Sequence, residues 1–349
     1  MTINISIGPS FFTEAFESDN PIIKRKFLSL YIQLSRFSNF GNHLRTLINP
    51  ETIDYLSSTD NFPFAHRLEN LLASIDENDI VNANDLSSRL TSIIERSIDY
   101  DAIGITDLLC SNINIDGSPL QDLAPAAQEA EERCVTVSAL HACSLLRTKH
   151  EVLSCLPSSN YQVNAHGQIH DIEPIECLET DINTPFSFAG TIKNVNLECR
   201  IEDYINAWEV WKTSETPEDL ELAIYVKAYE ILKATGEQNP DLKVSSFKIG
   251  DYFLNSLLDN QAARSARFSH TTLNSTARLV AGIALENCNA FRKASASTAA
   301  QLTRQSDGAK AWRYHLTKGH EALRLMYWSL PNGKIELANV GPKAELLIR

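Results

Sequence analysis

The sequence predicts an α+β protein: an acidic, mostly helical body with a mixed α/β segment, followed by a C-terminal domain of helices packed on a small antiparallel sheet. Three observations carry this. Helical periodicity dominates the first 160 residues, period-two alternation begins after Pro157, and the chain closes with apolar runs joined by short turns. The implied plan is a helical domain over 1–160, a mixed segment over 161–240 that belongs with it or stands apart, and an α+β domain over 241–349.

Pro21 opens the first clear helix, with apolar residues from Ile22 to Leu34 at helical spacing. A second is expected from about Phe64 to Ser74, with Leu68, Leu71 and Leu72 on one face. A third starts at Asn84 or Asp85 and carries Leu86, Leu90, Ile93 and Ile94. Pro125 to about Leu156 reads as another helix or a pair, its early Glu129, Glu131 and Glu132 suiting a solvated helix start. Tyr161 to Arg200 then shows strand-and-turn grammar. Thr216, Pro217, Glu218 and Asp219 mark a helix start, and Gly236 and Pro240 mark its end. Val244 to Leu258 mixes a strand start with a helix, and a further helix is expected from Leu273 to Asn287. Three strands follow at Trp312–Thr317, Ala322–Trp328 and Lys334–Val340. Lys318-Gly319-His320 and Pro331-Asn332-Gly333 are the turns between them.

Composition narrows the function classes. No apolar run reaches the roughly 18–20 residues of a membrane span, and Met1-Thr2-Ile3-Asn4 lacks a secretory start. A cytoplasmic protein with no membrane partner is the expectation. The seven cysteines form no Cys-x-x-Cys pair, so free thiols are expected rather than a zinc site or a disulfide scaffold. Two histidines four apart, His166 and His170, mimic metal ligands only on a helix, which Gly167 disfavours, and a polar turn is expected there. Trp208 and Trp211 are expected in the core. No phosphate-binding glycine loop, Gly-x-Ser-x-Gly elbow or dinucleotide fingerprint is present.

Charge is unevenly spread. Residues 1–240 hold 16 Lys+Arg against 36 Asp+Glu, a net of −20, and residues 241–349 hold 15 against 8, a net of +7. A basic C-terminal domain implies a polyanionic partner or a docking site on an acidic neighbour. The basic residues also cluster: Arg313, His315, Lys318, His320 and Arg324 fall within twelve positions, with Glu321 the only acid. Spacing by two puts Arg313 and His315 on one face of a strand. Alternation likewise separates Arg324 and Met326 from Leu323, Leu325 and Tyr327. A cation held on a rigid sheet suits a phosphate.

The C-terminal plan resembles the RelE/ParE superfamily of small bacterial toxins. The likeness rests on Trp312-Arg313-Tyr314-His315-Leu316, Leu323-Arg324-Leu325-Met326-Tyr327-Trp328 and Val340-Gly341-Pro342-Lys343, and covers about the last hundred residues. For the ribonuclease members it implies metal-independent cleavage of mRNA, ribosome-bound in many cases, by attack of the ribose 2′-hydroxyl on the adjacent phosphate. It implies catalytic roles for His315, Arg313 and Arg324, and substrate contacts from Lys310, Lys318, His320, Lys343 and Arg349. No cofactor and no metal site is implied, and an antitoxin or phage-defence protein is the implied protein partner. Two departures stand out: His315 replaces the usual lysine base, and no tyrosine follows Lys343 where the enzymes often have a catalytic one. ParE-like members share the fold and act on DNA gyrase, so a non-catalytic binding module is the alternative. Arg313 and His320 also fit the Arg-x6-His form of the HEPN ribonucleases, a motif that belongs on a helix.

Overall fold

The computed structural model describes the chain except residues 1–2, 38–42, 76–80, 117, 120–124, 148–150, 157–161, 180–181, 196–199, 239, 284–287, 293–299 and 318–321. The fold is α+β, in two compact units, Met1–Ile201 and Glu202–Arg349. Among the described residues no helix is long and apolar enough to cross a membrane.

In chain order the first unit holds β1 (Ile3–Ser6), α1 (Pro9–Glu17), α2 (Pro21–Phe37), β2 (Leu44–Leu47), α3 (Pro50–Ser58), α4 (Ala65–Ala73) and α5 (Ala83–Arg96). It continues with β3 (Asp107–Ile115), β4 (Ser118–Pro119), α6 (Pro125–Ala142), β5 (Glu151–Ser154), β6 (Gln162–Glu173) and β7 (Phe186–Lys193). The helices expected near Pro21, Phe64 and Asn84 form, the last capped by the Asn82 side chain rather than by Asn84 or Asp85. Two sheets join them. One is parallel, in the order β2-β1-β5, and the other antiparallel, in the order β4-β3-β6-β7. The expected helix to Leu156 therefore stops at Ala142, and the chain returns as β5 beside β1. The strand Ile3-Asn4-Ile5-Ser6 is buried at every position although its residues alternate apolar and polar, a four-residue signal too short to stand out beside the helical periodicity around it.

Helix α6 is buried along much of its length. Val135, Val137, Ala139 and Leu140 share a core with Ile113, Val163, Ile169 and Ile192. Glu131 departs from the solvated helix start expected of it. It is buried, and its Oε2 accepts the Ser10 N–H at 3.0 Å, supplying a side-chain acceptor at the start of α1, a helix with no side-chain cap of its own. Burial raises its carboxyl pKa. His166 and His170 lie in β6, not in a turn. They share one exposed face, and His170 Nε2 is 2.7 Å from Ser111 Oγ. The glycine between them, Gly167, faces the core, where a Cβ would sit 2.3 Å from Ile113 Cδ1 and oblige that side chain to shift. Cys134 and Cys155 are buried, Cys110, Cys143, Cys177 and Cys288 half-buried, and all six are free thiols. Cys199 lies outside the described residues.

The second unit holds α7 (Ala207–Thr213), α8 (Pro217–Ala234), α9 (Pro240–Lys243), β8 (Phe247–Ile249), α10 (Phe253–Asp259), α11 (Ser269–Val280), β9 (Cys288–Ala290), β10 (Lys310–His315), β11 (Leu323–Ser329) and β12 (Ile335–Pro342). Helix α8 starts with a capping box. Asp219 N–H donates to Thr216 Oγ1, and the Asp219 carboxylate accepts the Thr216 N–H. It packs on α7 and α11, so the chain divides at Ile201/Glu202 instead of at residue 240. That division changes the charge picture. The unit carries 18 Lys+Arg and 17 Asp+Glu, a net of +1, and its basicity is local rather than global. Trp211 is fully buried. Trp208 is only half-buried, its ring centroid 5.2 Å from that of His270.

The five-stranded sheet runs β8-β12-β11-β10-β9. Strands β9 to β12 pair antiparallel, and β8 lies parallel to β12. Gly333, at a φ of +81°, makes the turn into β12 that Asn332-Gly333 predicts. The helix expected over Leu273–Asn287 runs instead over Ser269–Val280, and residues 284–287 and the Lys318–His320 turn lie outside the described residues. On one face, Ala311, Met326, Trp328 and Ala338 form a core with Phe291 and Ala309. Helix α10 packs on β12.

Candidate functional site: a cationic row at the end of the sheet

Beyond that small core the same face changes character. Ala311, Arg313 and His315 alternate along β10, and Arg324, Met326 and Trp328 along β11. The antiparallel register sets Arg313 opposite Met326 and His315 opposite Arg324. Directly opposed Cβ atoms in such a pair lie about 4.5–5.5 Å apart. The next strand places Gly341 against Arg324. A glycine there leaves the space above the row to the side chain of Glu345, whose Cβ would lie 2.9 Å from a Cβ on Gly341. Lys343 follows directly after β12.

Arg324 is not a solvated surface arginine. It is 7% exposed, and its Nη1 donates to the Leu323 carbonyl at 3.1 Å. Burial, then the charge of Arg313, lowers its pKa. Arg313 buries its Nε without a hydrogen-bond partner among the described residues. Burial, then Arg324, Arg313 and Lys343, lower the pKa of His315 below 6.5. The charges of Arg324, Arg313 and Lys343 thus all bear on His315. Among the described residues none of the four makes an ion pair with an acid. Glu345, in the tail after β12, accepts the Leu347 N–H on its Oε1.

The remaining expected residues divide. Lys310 is exposed at the far end of β10, opposite Ser329, and alternation puts it on the other face from Arg313 and His315. It does not belong to the row. Arg349 is also elsewhere. Its guanidinium stacks on Tyr252, 4.4 Å from the ring centroid, and its N–H donates to Asn339 Oδ1 at 3.2 Å. With Asn339 Nδ2 on the Leu347 carbonyl, it anchors the C-terminal tail, a packing role. Lys318 and His320 lie outside the described residues. Arg313 sits on a strand, so the helical Arg-x6-His reading fails. Among the described residues no group of three or more His, Cys, Asp or Glu side chains is placed to hold a metal ion. Glu345 escaped the sequence reading, since only the fold-back of the tail after Pro342 brings it over the row.

No family model, curated protein or solved structure matches this chain.

What the site can do follows from its geometry. An imidazole kept neutral at pH 7 accepts a proton. Guanidinium groups fixed on strands and partly shielded from water attract a phosphate more strongly than mobile, solvated ones do. The row thus pairs one base with three cations beside it, an arrangement suited to transfer at a phosphodiester.

Proposed function

We propose that the second unit is a RelE-like, metal-independent endoribonuclease. The observation that carries this reading is the register of His315 opposite Arg324, with Arg313 and Lys343 close enough to shift His315 and no acid paired to the row among the described residues. Two helices, α10 and α11, followed by the β10-β11-β12 meander support it further. His315 accepts the proton of a ribose 2′-hydroxyl. The 2′-oxygen then bonds to phosphorus and the P–O5′ bond breaks, leaving a 2′,3′-cyclic phosphate and a 5′-oxygen that takes a proton from solvent. Arg313, Arg324 and Lys343 hold the phosphate as charge builds on its oxygens. Lys318 and His320, which fall between β10 and β11 in the sequence, are assigned supporting contacts. The substrate is RNA, with ribosome-bound mRNA as one form of it, and a restraining antitoxin or defence-system protein is the matching partner.

The test is incubation of the full chain with end-labelled RNA in EDTA, with and without ribosomes. Products ending in 2′,3′-cyclic phosphate, absent with His315→Ala, are the expected result. Intact RNA in every lane, together with RNA binding that Arg324→Gln abolishes, would instead leave a non-catalytic nucleic-acid-binding module.

A further inference from the structure

A cavity of about 430 Å³ opens where the end of α10 meets the start of β11 and the end of β12, lined by Asp259, Asn260, Gln261, Phe268, Leu323 and Lys343 among others. Its size lies within the usual range of small-molecule sites. One wall is the half-buried ring of Phe268, with the Arg267 guanidinium 4.9 Å from its centroid. Asn260 stands beside it, already oriented. Its Nδ2 donates to the Ser256 carbonyl at 2.9 Å and the Val340 carbonyl at 3.1 Å. With both donors spent, the side chain has only its Oδ1 acceptor to offer a ligand. Asp259 adds a second acceptor, one oxygen of which already takes the Tyr252 hydroxyl at 3.1 Å. Lys343 follows Pro342, the last residue of β12, and lines the cavity; Leu323 in its wall lies on the opposite face of β11 from Arg324, so an RNA strand reaches both by turning round the end of the sheet.

We propose that this cavity is a nucleobase subsite for single-stranded RNA, taking the base next to the phosphate held by the row. It rests on the ribonuclease reading above and adds to it a stacking platform and a preference among bases. A planar base stacks on Phe268 as bases stack on aromatic side chains in single-strand binders. Fixed acceptors at Asn260 and Asp259 receive an exocyclic amino group. Adenine, cytosine and guanine carry one and uracil does not, so the subsite discriminates against uridine.

The experiment uses the full chain carrying His315→Ala, so that RNA is not consumed, with fluorescein-labelled oligoadenylate and oligouridylate followed by anisotropy. A third probe carries 2-aminopurine, whose fluorescence is quenched on stacking. Thermal melts confirm that each variant folds. Expected are tighter binding of oligoadenylate than of oligouridylate and quenching of 2-aminopurine. Phe268→Leu should weaken oligoadenylate binding roughly 5- to 100-fold, and Phe268→Trp should restore it. Binding that Phe268→Leu leaves intact while Arg324→Gln abolishes it would overturn the subsite and spare the cationic row. Failure of both oligonucleotides to bind would overturn the ribonuclease reading and the subsite together.

Discussion

At one end of β11 and β12, Arg304 lays its guanidinium 5.0 Å from the centroid of the Trp328 ring and forks onto Glu336 with two contacts of 2.8 Å. At the other end of the same face, Arg313, His315 and Arg324 crowd together, with no acid paired to them among the described residues. The first end is closed chemically. Asp307 adds a 2.6 Å bond to Arg304 and Lys248 a 2.8 Å bond to Glu336. Arg304 in turn holds the Glu336 carboxyl below its ordinary range and Asp307 down at about 2. Cations there are fully used in holding the sheet together. At the second end each positive charge raises the cost of its neighbours, and burial adds to that cost. An anion held there would offset that cost. Arginine thus serves as a clamp within the protein at one end and, on the function proposed above, as a receptor for a phosphate at the other.

His315→Ala tests the receptor end most severely. Loss of a general base should lower RNA cleavage about 10²- to 10⁴-fold, measured under single-turnover conditions, while the melting temperature stays near that of the unaltered chain. Equal turnover in the variant would remove His315 from the chemistry. Arg324→Gln should weaken RNA binding by roughly 10- to 100-fold, the value of a charge-assisted hydrogen bond. It should also lower the dependence of log affinity on log salt by about 0.7, one phosphate's share for single strands. A slope left unchanged would mean that Arg324 does not meet phosphate.

Glu336→Gln probes the clamp end, where the opposite pattern is expected. Stability should fall by about 1–3 kcal/mol in denaturant melts, since one bond from Arg304 loses its acceptor and the other its charge, and RNA affinity should change little. The smallest effect is a titration. The folded value of His315 lies below 6.5, so the folded chain binds fewer protons than the unfolded one between those two values. Stability should therefore rise with pH up to about 6.5 and be flat above it with respect to this group. Arg324→Gln removes one of the charges responsible and should move the His315 midpoint upward in an NMR titration. A downward move would show that the two side chains do not face each other.

Much of the second unit was legible in the chain. Thr216-Pro217-Glu218-Asp219 spells out its own capping box, and Asn332-Gly333 between two apolar runs forces a hairpin whatever surrounds it. The shared face of Arg313 and His315 is a consequence of period-two geometry, which equally excludes Lys310, three residues before Arg313. Other features depended on distant segments. Beside the strand Ile3–Ser6 lie chains from residues 44 and 151 onward, and no local pattern announces partners so remote. Glu131 reads as a helix-start carboxylate until Ser10, far away in sequence, donates to it. Phe268 and Asn260 lie in the connection between α10 and α11 and become a cavity only when the ends of β11 and β12 close it.

The amino-acid sequence by itself determined the local elements, because capping, turn chemistry and periodicity act over a few residues. It also determined the α+β class and the stock of cations near the C-terminus. Tertiary structure alone decided which of those cations meet. Strand register put His315 against Arg324, the tail's return fastened Arg349 to Tyr252, and the packing of α8 brought acidic residues into the unit that the charge count had made basic. Register and packing are sums over contacts between residues far apart in the chain, and charge is balanced in space, not along the sequence.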